Sequence, residues 1–186
     1  MMNKLKKDDD LINEIISFWF SDEVQPLWFK STDEFDDLLC QRYKATWELA
    51  CAGNYDHWQL EANGALALVI VLDQFPLNMF RQDKRQYSTE SHARKIAEYA
   101  IQQGLDNQLT DQQKAFIYLP YMHSESLDDQ NLAVSLYERA GLESNLGFAK
   151  HHRDVVKQFG RFPHRNIALG RESTEQEIEY LKKSNW

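Results

Sequence analysis

The chain has 186 residues, 42% hydrophobic and 27% charged, a balance that supports a packed core and excludes intrinsic disorder. A formal charge of −8 argues against a surface given over to nucleic acid, which needs phosphate neutralised by Lys and Arg. Seven glycines and four prolines are too few for the frequent turns of an all-β fold.

One helical domain over 1–186 is the expectation, with 1–8 as a flexible N-terminal tail. Asp8, Asp9 and Asp10 offer N-caps to a first helix that reaches about Phe20. Ser31 with Glu34 has the spacing of a capping box for a second helix ending near Gly53. Its 3.6-residue period sets Phe35, Leu38, Leu39, Tyr43, Trp47 and Ala50 on one stripe. From Trp58 to Leu72 the chain is apolar all round and reads as a buried central helix, with a buried strand as the alternative because Val69, Ile70 and Val71 are β-branched. Pro76 is expected to break that helix.

Ser88 begins a helix carrying Ala93, Ile96, Ala97, Ala100 and Ile101, which Gly104 stops. Thr110 and Gln113 cap the next, in which Pro120 removes the donor for the Phe116 carbonyl and should kink or end it. Helices over about 128–141 and 145–160 follow, and Thr174 with Glu177 caps a last one carrying Ile178 and Leu181. The fold class is therefore all-α, an irregular stack of about eight or nine helices paired as antiparallel hairpins.

Cys40 and Cys51 share one helix about 16 Å apart along its axis and cannot bridge each other. With no secretory segment after Met-Met-Asn-Lys, a cytoplasmic protein is expected. The longest wholly apolar run, nine residues from Gly64 to Leu72, is short of the ~20 that span a bilayer, so no membrane role is expected.

Three stretches mix aromatics, a proline and charge at a helix end: LDQFPLNMFR from Leu72, YLPYMHSE from Tyr118 and FGRFPHRNIALGR from Phe159. Helical phase puts His123 on the stripe of Phe116 and Leu119, and His152 on that of Phe148, Val155, Val156 and Phe159. Both imidazoles are expected at least partly buried, where carboxylates and burial tune a histidine's proton affinity. From Lys150 to Arg171 six cations face the single acid Asp154, which suggests a local anion site or internal pairing.

The leading expectation is a small-molecule site, with chemistry of its own, for an anion-bearing metabolite. Arg161 and Arg165 hold the anion beside His152, His164 and Asn166; His123 is the general acid or base, Glu125 orients it, and Tyr118 and Tyr121 line the wall. Asp73, Gln74 and Arg81 complete the polar set from the first stretch. The rival is a peptide-binding scaffold whose arginines are structural locks, with Arg161, Arg165 and Arg171 clamping helix C-termini or pairing to Asp73, Glu125 and Asp129. RNA binding through the basic segment is a weaker third reading. No metal signature, phosphate-cradling loop or dinucleotide glycine motif is present, so no metal and no cofactor is expected.

These three stretches, with Phe18-Trp19-Phe20 and Trp28-Phe29, resemble a bacterial family, domain of unknown function 924, placed in the tetratricopeptide-like helical superfamily. The likeness runs from about Leu11 to Lys183 and is densest in YLPYMHSE, FAKHHRDVVKQFGRFPHRN and LGRESTEQE. It implies an all-α, tetratricopeptide-like fold in a cytoplasmic bacterial protein and brings no activity with it. Leu77 stands where the family pattern carries an arginine.

Overall fold

A computed structural model describes residues 2–184, with side chains from residue 6 onward. Within them the secondary structure is helical throughout: α1 (Met2–Trp19), α2 (Asp33–Cys51), α3 (Ala62–Val69), a π turn (Ile70–Gln74), α4 (Phe75–Met79), α5 (Glu90–Gln102), α6 (Asp111–Met122), α7 (Leu127–Arg139), α8 (Glu143–Phe159) and α9 (Glu175–Leu181), with short 3₁₀ turns between. The first helix begins at Met2, so residues 2–8 of the expected N-terminal tail are helical, and residue 1 lies outside the described residues.

Asp8, Asp9 and Asp10 lie inside α1 and do not cap it, because that helix starts ahead of them at Met2; two other caps shift as well. Thr32, not Ser31, caps α2 by accepting from the Phe35 N–H, because its backbone is the extended one that aims the hydroxyl at the third residue of the helix. Ser88 does not cap α5; Thr89 precedes that helix and donates its hydroxyl to the Leu72 carbonyl. The boxes at Thr110/Gln113 and Thr174/Glu177 are complete. Along α2, Phe35, Leu39, Tyr43 and Ala50 are buried, whereas Leu38 lies on the exposed flank.

α3 is the central element and packs against α1, α5 and α6, while α5 through α8 each pack on the next in sequence. Ala62–Met79 is apolar and long enough to cross a membrane by composition alone, yet 78% of it is buried inside the protein as the core helix. Trp58 lies so close to α3 that only a glycine fits at position 64: a Cβ there would sit 2.1 Å from the Trp58 carbonyl oxygen. An aromatic cluster closes one end of the core, with Trp19 against Phe75 and Phe116, Tyr43 stacked on Phe75, and Trp28 edge-to-face with Phe116.

Both prolines are absorbed without breaking their helices. Before Pro76 the chain widens into the π turn, where the Phe75 N–H reaches the Ile70 carbonyl, and the helix then continues to Met79. The Leu72 carbonyl, which Pro76 cannot serve, takes the Thr89 hydroxyl. α6 runs two residues past Pro120 and is closed by Gln130, a fully buried side chain whose amide donates to the Met122 and Ser124 carbonyls, both at 2.6 Å.

Candidate functional site

The π turn and the end of α6 bring together two residues that lie 50 apart in sequence. Asp73, 1% exposed, holds His123 Nδ1 with its two carboxylate oxygens at 2.9 and 3.1 Å. Gln74 donates to the same carboxylate at 2.6 Å. Asn78 in turn donates to the Gln74 carbonyl, tying the acid to the start of α4. With Nδ1 committed to Asp73, Nε2 is the ring nitrogen left to meet a ligand. π insertions recur at functional sites because they turn a side chain out of the helical register, and here the residue turned is the partner of a histidine.

Burial weighs most on His123 and opposes its charge, but Asp73 and Glu90 outweigh it and Arg165 only partly offsets them, so its proton affinity is raised above the ordinary histidine value. The ring is 15% exposed, and that surface faces a cavity of about 730 Å³. The size is that of small-molecule pockets. Leu119, Met122 and His123 supply one wall from α6, and Asn145, Phe148, His151 and His152 a second from α8; Phe29, Tyr180, Lys183 and Ser184 complete the described lining. The i, i+3 and i+4 spacings of both helices set these side chains on one face each. Phe29 and Phe148 are 74% and 64% exposed, so the cavity has an aromatic rim.

His152 donates from Nδ1 to the Phe148 carbonyl at 2.9 Å, and burial pushes its proton affinity down to about 3. His164, also lowered to about 3 by burial and by Arg165, sits beside the Phe162 ring and does not line the cavity. The cavity therefore carries one histidine held toward its protonated form and another held neutral.

The arginines are used within the protein. Arg161 forms a fork on Glu177, with bonds of 2.7 and 2.8 Å that hold the Glu177 carboxyl down to about 2. Arg165 is buried, pairs with Glu90 at 3.0 Å, donates to the His123 carbonyl and stacks between Tyr87 and Phe162. Arg171 grips Glu125 at 2.7 and 2.8 Å, and Glu125 also accepts from the Phe162 N–H. Asn166 bridges Ser173, Glu177 and Arg171. Arg81 pairs with Asp36 on α2.

The site thus differs from the sequence expectation in its polar partners. Asp73 orients His123, and Glu125 does not, because Arg171 and the Phe162 amide already fill its acceptor positions. Arg161, Arg165 and Asn166 clamp the 160–177 segment and lie outside the cavity lining. Of the pairings foreseen for the arginines, Arg171 with Glu125 forms; Arg161 and Arg165 take Glu177 and Glu90 instead. Tyr118 donates to Asp106, and Tyr121 opens to a separate pocket of about 250 Å³ beside Arg94, Lys95 and Asp129. Among the described residues no group of three or more His, Cys, Asp or Glu side chains could hold a metal ion. Sequence reasoning missed Glu90, Asn145, Phe29 and Lys183; the i, i+4 pairs Leu119–His123 and Phe148–His152 already marked the two walls.

A family model described as bacterial protein of unknown function, DUF924, matches residues 15–185. The chain is also similar to the structure of a protein of unknown function from Agrobacterium tumefaciens, with 36% identity and a TM-score of 0.90 over 95% of this chain and 99% of that one. No curated protein gives a significant match.

Proposed function

The chain belongs to this bacterial family of unknown function, DUF924, and we propose that it binds a small molecule in the α6–α8 cavity, where His123 acts on the ligand as general acid or base. One observation carries the reading: a buried carboxylate fixes one nitrogen of a histidine whose ring opens into an apolar cavity. Asp73 orients the ring and stabilises the imidazolium, so His123 can take up a proton at Nε2 and return it. The neutral His152 across the cavity is suited to hydrogen bonding without adding charge. The anionic head expected of the ligand meets His123 in place of the arginines.

A second reading has one observation in its favour. The exposed Phe29 and Phe148 at the rim suit the apolar side chain of a peptide. Both readings place the occupant in the same cavity, and chemistry at His123 separates them.

A thermal-shift screen with carboxylated and phosphorylated metabolites and short peptides, run on the parent and on Asn145→Trp, tests the proposal. Asn145 is half-buried on the cavity wall, and the indole fills the space. A ligand at ~100 times its Kd stabilises the parent by about 2.7 kcal/mol. Ligands of this site lose that shift in Asn145→Trp, whereas hits that shift both proteins equally bind elsewhere and contradict the proposal.

A further inference from the structure

Resting on the reading of the cavity as a ligand site, we infer that its occupant is a monocarboxylic acid with an apolar body, the carboxylate seated between His123 and Lys183 and the body against Leu119, Met122, Phe148 and Phe29. In a chain of charge −8, none of the described lining residues is acidic. Asp73 stands behind the His123 ring, its side chain fully buried, and presents no charge to the cavity directly. The charged or chargeable groups on the lining are cationic or neutral: Lys183 and the histidines. The ammonium of Lys183 has no ion-pair partner among the described residues. Such a lining excludes cations and favours one negative charge.

The head is a carboxylate and not a phosphoryl group because of where the arginines are. Phosphate recognition draws on several charge-assisted donors, typically guanidinium forks, and Arg161, Arg165 and Arg171 are committed to Glu177, Glu90 and Glu125. Asp73 balances the His123 imidazolium, so the net positive charge left for a ligand is that of Lys183, which matches a single negative charge. The remaining lining is largely aromatic and aliphatic, so the body of the ligand is apolar, and the exposed rings at the rim give it a path in.

Isothermal titration at pH 7 with octanoate and 3-phenylpropanoate, against octanamide, 3-phenylpropanamide and octyl phosphate, tests this on the parent and on Lys183→Met. Lys183 is exposed, so its replacement leaves the fold intact. At least one acid binds about tenfold more tightly than its amide, a difference of about 1.4 kcal/mol. Lys183→Met lowers the affinity for the acid and leaves that for the amide unchanged. Amides that bind as well as acids, an octyl phosphate that binds tenfold better than octanoate, or an acid affinity untouched in Lys183→Met each overturn the carboxylate assignment while the cavity reading stands. Binding of none of the five compounds overturns both.

Discussion

His152 gives the fold an acid sensitivity that can be measured at one side chain. Its ring lies on the cavity wall beside Phe162, 5.5 Å between centroids, and burial lowers its proton affinity to about 3. In the unfolded chain the same ring titrates near 6.5, so between these values the unfolded state holds the extra proton and stability falls as pH falls. From pH 7.5 to pH 5 an unfolded histidine becomes almost fully protonated while the folded one stays neutral, a loss of about 2 kcal/mol. The ring edges the cavity and solvent screens part of the effect, which leaves about 1–2 kcal/mol. His123 and Glu90, both raised, act in the opposite direction over part of this range, so the effect must be isolated by difference. Urea unfolding of the parent and of His152→Gln at the two pH values does so. The glutamine variant loses about 1–2 kcal/mol less than the parent on acidification. Equal losses in the two proteins would show that His152 is not held neutral by burial, and the reasoning fails.

Other perturbations probe the scaffold that sets the site. Gly64→Ala drives a methyl into the Trp58 carbonyl and costs about 2 kcal/mol or more, seen as a lowered urea midpoint; an unchanged midpoint means α3 and the 56–60 turn are not in contact. Thr89→Val keeps the shape but strands the buried Leu72 carbonyl beside the π turn, for a loss of about 1–2 kcal/mol in the same assay. Arg171→Ala frees Glu125 and removes the fork that holds the 160–171 segment on the loop between α6 and α7, destabilising by about 1–3 kcal/mol. That segment should then exchange its amide protons faster than α3 does, and uniform exchange across the chain would refute a local clamp.

What the sequence revealed follows from the range of the interaction. Helix identity, the Thr110 and Thr174 boxes and the Gly104 stop depend on residues within four positions of one another, and all are present. The two cavity walls were legible for the same reason, as i, i+4 pairs within α6 and α8. Pro76 misled because the remedy for its missing donor is tertiary: a π turn before it and a hydroxyl from Thr89, 17 residues from Leu72. The partner of His123 was hidden in the same way. Glu125 is two residues away in sequence, but the chain runs from α6 into the Ser126-capped start of α7 and turns that side chain to Arg171, while Asp73 arrives from a helix fifty residues earlier. Local charge counts cannot choose among carboxylates that only folding brings into reach.

The Asp73–His123 pair as the chemical centre of a ligand cavity is tested most directly by the NMR titration of His123, followed at its ring nitrogens with and without saturating 3-phenylpropanoate. The free protein should titrate above the ordinary histidine value, and the bound carboxylate should raise the midpoint further while perturbing Nε2 more than Nδ1. A His123 curve that the ligand leaves unmoved would contradict the account.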